Sequence, residues 1–192
     1  MKMKSIITFI LVLVITFPAL ALDFSYISFS SNDDRLTVEV GIKNVFTKDA
    51  FDSLLNGQEI KIYLDVTIFE KRPIIVNKKV QSSKEKNIIQ YNVIIQKYHI
   101  VVGKKPSNRD ESFESDQKKS IESISNFKKL VILSKDVINP KKDYIIHVNV
   151  KVVSLKMSPP LSFIFDLFFD LNYSISKSFN YTGSELLKKY FN

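Results

Sequence analysis

Apolar and polar residues alternate with a period of two over much of this chain, the spacing of strands with one face buried and the other in water. Leu36, Val38, Val40 and Ile42 share one face of a predicted strand, and Ile60, Ile62, Leu64, Val66 and Ile68 share one face of the longest. Ile146, Val148, Val150 and Val152 do the same within residues 144–156, and residues 74–81 and 88–102 continue the theme. The first run breaks phase. Phe24 and Tyr26 fall on one face, Ile27 and Phe29 on the other, so a bulge or burial on both faces is expected there.

Helical spacing interrupts this pattern in three places. Thr47 is placed to cap a short helix carrying Phe51, Leu54 and Leu55, and Asn56-Gly57 supplies its stop. Ile121, Ile124, Phe127 and Lys128 predict a second helix. Ser158 before Pro159-Pro160 predicts a third, opened by an N-cap and first-turn proline and running to about Leu171. Between Gly103 and Ser120 the apolar pattern lapses, with Phe113 the only large apolar residue, which predicts a long loop or hairpin excursion inside one domain.

Short strands at close spacing, few helices and no repeat predict a mainly β chain folded as an antiparallel, immunoglobulin-like β-sandwich with two or three short helices. Only four glycines are present, so few turns can be tight glycine turns.

The chain opens with Lys2 and Lys4, an apolar run over residues 6–17 and Ala19-Leu20-Ala21, the order of a secretory signal peptide with a small-x-small cleavage site. That run is about 12 residues, against the roughly 20 a membrane-spanning helix needs. Residues 1–21 are therefore expected to be removed, leaving residues 22–192 as one domain in the periplasm or cell envelope. The signal and the composition look bacterial, so the sequons at Asn172 and Asn180 are read as chance.

No cysteine occurs, which excludes disulfides, thiolate chemistry, cysteine metal sites and lipidation at a new N-terminal cysteine. At 45% hydrophobic and 25% charged residues the composition is globular. The net charge of +8 comes from lysines scattered in pairs, such as Lys78-Lys79, Lys141-Lys142 and Lys188-Lys189. This is read mostly as solvated surface. An attraction to anionic lipid or envelope polymer is the functional alternative, and export argues against nucleic acid.

Candidate chemistry is sparse. His99 and His147 lie in separate predicted strands, and Asp143 stands roughly 13 Å from His147 along an extended strand. Gly183-Ser184 lacks the flanking glycine of a nucleophile elbow, and no glycine-rich phosphate loop is present. The carboxylate pairs Asp33-Asp34, Asp110-Glu111 and Asp166/Asp170 fit turn, loop and helix surface, respectively, better than a glycosidase pair. No catalytic residue, cofactor or metal site is expected.

The most distinctive segment is residues 158–181. Phe163, Ile164, Phe165, Leu167, Phe168, Phe169 and Leu171 would cover more than half of a helix. Burying five such side chains is worth about 8–15 kcal/mol, so a soluble protein seldom leaves them all exposed. The structural expectation is a helix closing the sandwich. The functional expectation is an interaction face formed by Pro159, Pro160, Leu161, Phe165, Phe168, Phe169, Tyr173 and Phe179.

In these features the chain resembles, from about residue 24 to residue 181, a family of exported bacterial proteins known as the domain of unknown function 4390. The resemblance rests on the early strand, on Leu54-Leu55-Asn56-Gly57 before Ile60-Lys61-Ile62, and on residues 89–101 with Tyr91 and Tyr98. It continues through the strand at 144–156 into Ser158-Pro159-Pro160-Leu161, and ends at Ser174-Ile175-Ser176-Lys177-Ser178-Phe179. Members usually carry tryptophans in the closing segment, where this chain has Tyr173, Phe179 and Tyr181. They commonly carry an arginine after the Pro-Leu step, where this chain has Ser162. The resemblance implies an exported β-rich fold and supplies no activity.

The leading functional expectation is a non-enzymatic, protein-binding envelope module whose partner is another envelope protein, with peripheral membrane contact as a secondary role. A module for an anionic lipid, polymer or small ligand is the alternative, and a carboxylate-dependent hydrolase is the third reading.

Overall fold

The computed structural model describes residues 22–103, 110–154 and 172–191. In chain order the elements are β1 (Asp23–Asn32), β2 (Arg35–Lys43), α1 (Lys48–Leu55), β3 (Glu59–Glu70), β4 (Lys78–Asn92), β5 (Lys97–Val102), β6 (Asp110–Glu114), α2 (Gln117–Ser125), β7 (Asn126–Ser134), a 3₁₀ turn (Lys135–Val137), β8 (Asp143–Ser154), β9 (Asn172–Thr182) and α3 (Gly183–Tyr190). The strands form two sheets, ordered β1-β2-β7 and β6-β5-β4-β3-β8-β9, with every pairing antiparallel. The chain is a β-sandwich.

β3 is the axis of the larger sheet. Its alternating Ile60, Ile62, Leu64, Val66 and Ile68 are all buried, as are Ile146, Val148, Val150 and Val152 on the neighbouring β8. They face Leu36, Val38, Val40 and Ile42 of β2 and Phe127, Leu130 and Ile132 of β7 in one continuous core. At about 1.5–3 kcal/mol for each fully buried aliphatic side chain, the five from β3 contribute on the order of 10 kcal/mol.

Three strands cannot cover six, and α2 supplies the missing width. Its Ile124 is buried, and the Asn87 side-chain amide on β4 donates to the Ile124 carbonyl at 3.0 Å, fixing helix to sheet. On the same flank β7 approaches β4, with Ser83 Oγ donating to the Val131 carbonyl at 2.7 Å. α1 closes one end of the sandwich through Ala50 and Leu54, and α3 docks at the other through Leu186.

The expected phase break in β1 is a register shift between Phe24 and Tyr26 against β2. The exposed Tyr26 ring lies over Gly41, which has no side chain to obstruct it. Turns that lack glycine place Asp33, Asn44 and Gln96 at φ of 54°, 54° and 52°, a region that Asn and Asp tolerate better than most residues.

Several expected elements differ. Residues 74–76 lie in the β3–β4 loop, and the strand begins at Lys78. Residues 88–102 divide into β4 and β5 around a turn. The second helix runs over Gln117–Ser125, while Phe127 and Lys128 belong to β7, because Phe127 pairs with Val40 and enters the core. At 103–120, where a long loop or hairpin excursion is expected, β6 pairs antiparallel with β5 as the hairpin alternative requires, and α2 begins before the segment ends. The third helix, expected over residues 158–171, lies outside the described residues. Among the described residues, no helix is long and apolar enough to cross a membrane.

Candidate functional site

The two flanks of the sandwich differ. One is closed by α2 and by β7 against β4. On the other, β1 ends the small sheet and β9 ends the large one, each hydrogen-bonded to a single neighbouring strand among the described residues. Two backbone edges of the described structure therefore lie on the same side.

Aromatic side chains fill the seam between them. Phe29 of β1 meets Phe179 of β9 with ring centroids 5.1 Å apart, and also touches Tyr181 at 6.4 Å and Tyr190 of α3 at 6.3 Å, all edge to face. Tyr181 and Tyr190 are 6.2 Å apart, with hydroxyls at 3.4 Å. All four rings are half-buried and pack on the core. Burial, and then the hydrogen bond with Tyr190, pushes the Tyr181 phenol up to about 12.

Lysines roof this seam. Lys177 Nζ lies 5.6 Å from the Phe179 ring, and Lys189 Nζ lies 5.5 Å and 5.1 Å from the rings of Tyr181 and Tyr190. Asn180, Tyr181, Glu185, Lys188 and Lys189 line a shallow depression of about 530 Å³ beside them. α3 is held there by a capping box between Thr182 and Glu185. Gly183 is required at its start, since a Cβ would run into the Asn139 backbone carbonyl.

Of the expected interaction face, Tyr173 and Phe179 are described, while Pro159, Pro160, Leu161, Phe165, Phe168 and Phe169 lie outside the described residues. Tyr173 fastens the start of β9 to the β2–α1 connection by donating its hydroxyl to the Val45 carbonyl. Burial pushes its phenol up to about 12, against the opposing effect of the Thr47 amide. Phe179 belongs to the seam. The sequence points to both residues as aromatics of the closing segment and not as members of a strand, and the ring that meets Phe179, Phe29, comes from a distant position that no local pattern connects to it. α3 is not among the expected helices, although Thr182-x-x-Glu185 offers the signal of a capping box.

The other candidates do not converge. His99 stacks on Phe113 at 4.9 Å with Nε2 3.6 Å from Glu111, whereas His147 Nδ1 lies 3.0 Å from Ser178 Oγ. Two strands, β4 and β3, separate them. Asp34 pairs with Lys135 at 3.7 Å, Ser184 Oγ lies 3.0 Å from Thr182 Oγ1, and Asp166 and Asp170 lie outside the described residues. Among the described residues, no group of three or more potential ligands could hold a metal ion. Two further depressions flank α2, of about 910 and 870 Å³, both lined by carboxylates and lysines together.

No curated protein and no solved structure matches the chain. The model of the domain of unknown function DUF4390 matches residues 19–178, and the chain belongs to that family.

Proposed function

We propose that this protein is an exported, non-enzymatic module of the cell envelope that binds another protein along the β1–β9 flank. The observation that carries this reading is the coincidence, among the described residues, of two terminal strand edges with a half-buried aromatic seam. An extended segment added to either edge gains main-chain hydrogen bonds, while the rings and lysines offer side-chain recognition. The signal-like residues 1–21 support export. The apolar residues 159–169 run into β9 at Asn172, so the interaction face expected from sequence is continuous in the chain with this flank.

The test begins with crosslinking of the tagged protein in its native cell and purification of the attached partner. Binding of that partner is then compared between the wild type and Ser28→Lys/Ser176→Lys. Both serines are exposed on the edge strands, so the variant is expected to fold. Loss of binding by at least tenfold supports the flank, and undiminished binding rejects it.

A further inference from the structure

The β3–β4 loop carries the most exposed apolar cluster among the described residues. Ile74, Ile75 and Val76 are 92%, 68% and 87% exposed, although hydrophobic side chains of this size normally avoid such exposure when three are consecutive. The loop projects from the end of the sandwich where β3 stops and β4 begins. Its base is anchored, since the Lys71 amide donates to the Asp143 carbonyl at 2.8 Å and the Arg72 amide to Asn77 Oδ1 at 3.3 Å.

Cations surround the base of this apolar tip. Lys71 and Arg72 precede it, Lys78 and Lys79 follow it, and Lys141 and Lys142 come from the adjacent β7–β8 connection, all six exposed. Lys71, Arg72, Lys141 and Lys142 help to line one depression of about 550 Å³ beside the tip. The nearby acids are fewer. Glu70 is engaged by Lys142 at 3.4 Å, and Asp143 is the carboxylate that lines the depression itself.

An apolar tip within a cationic ring matches the layered chemistry of an anionic bilayer, which presents phosphates at its surface and acyl chains beneath. We propose that this pole of the protein docks on anionic phospholipid, with Ile74, Ile75 and Val76 entering the acyl boundary and the six cations meeting the headgroup phosphates. The exposed turn Val93-Ile94-Ile95 provides the contrast. It lies at the other end of β4 and is followed by a single cation, Lys97. The membrane pole uses none of the seam residues, so the two sites can be tested separately.

The chain contains no tryptophan, so Ile75→Trp supplies a single reporter. On vesicles of phosphatidylglycerol and phosphatidylethanolamine its emission should shift to the blue. It should shift little on phosphatidylcholine, because the electrostatic attraction is missing. In sedimentation with the anionic vesicles, Ile74→Ser/Ile75→Ser/Val76→Ser should weaken binding at least tenfold. Val93→Ser/Ile94→Ser/Ile95→Ser should leave it unchanged. Each of Lys71→Gln, Arg72→Gln and Lys141→Gln should weaken binding by about fivefold at low salt. Wild-type affinity in the first triple variant would overturn the proposal, whichever other segment then carried the binding. Unshifted indole emission from the Ile75→Trp variant on the anionic vesicles would also overturn it, as would binding to soluble polyglutamate that equals binding to the vesicles.

Discussion

Phe29 on β1 and Phe179 on β9 meet with their ring planes at 84°, joining the outermost strands of two different sheets across one flank of the sandwich. Neither strand has a second backbone neighbour among the described residues. The relative position of the two edges therefore depends on side-chain packing, of which this pair is the closest ring contact. The same rings that hold the flank together are the ones a bound segment would meet.

Phe29→Ala and Phe179→Ala should each destabilise the protein by about 1–3 kcal/mol, less than a fully buried Phe because both rings are only half-buried. The double variant should reveal a coupling of about 0.5–1.5 kcal/mol between them. Urea unfolding of the four proteins measures this. Strict additivity would mean that the rings do not pack on one another.

Tyr173→Phe removes the hydroxyl that fastens β9 to the Val45 carbonyl and should cost about 1–2 kcal/mol. Tyr173 also gives stability a direction with pH. Its folded pKa of about 12 lies above the ordinary value of 10.0, so its contribution is complete below pH 10 and is lost as pH rises through 12. Melting temperatures between pH 9 and pH 12 should fall for the wild type, and fall less steeply for Tyr173→Phe. Parallel curves would show that this phenol does not link folding to pH.

Gly183→Ala should destabilise by more than about 2 kcal/mol, because its Cβ meets the backbone at Asn139 and neither α3 nor the β7–β8 connection can yield without losing packing. Gly41→Ala should cost less, since its Cβ meets mainly the exposed Tyr26 ring and Ser25 hydroxyl, side chains that can rotate away. Thermal melts of the two variants decide this, and the reverse order would contradict the stated contacts.

Export predicts that protein made from the intact chain in a bacterial cell begins at Leu22. N-terminal sequencing of the envelope fraction checks it. A chain retained in the cytoplasm with Met1 in place would remove the location on which the functional proposal stands.

Where one face is buried, the sequence displays the fold openly: Ile60 to Ile68 and Ile146 to Val152 alternate without a break, and Thr47 caps α1 as expected by accepting from the Ala50 amide at 3.2 Å. The first half of β4 is different. Residues 78–81 fall in a run expected as strand, but Ser82-Ser83-Lys84-Glu85-Lys86 has no apolar residue, and it is a strand because it pairs along β3 from Thr67 to Tyr63. There the template is a neighbouring strand, which local pattern cannot reveal. Ile74, Ile75 and Val76 mislead for the opposite reason. They have strand-forming side chains, but Pro73 and the turn to Asn77 withhold them from the sheet. The seam was legible only in part, because Phe179 is marked as an aromatic of the closing segment while Phe29, Tyr190 and Lys189 reach it through tertiary packing.

If a partner protein sits on the β1–β9 flank, a photoreactive amino acid there will capture it. The residue is placed singly at Ser28, at Ser176 and, as a control, at Glu111 on β6, with irradiation in the native cell. A discrete adduct to the same envelope protein from Ser28 and Ser176, and none from Glu111, is the predicted result. No adduct from either flank position, or the same adduct from Glu111, would contradict it.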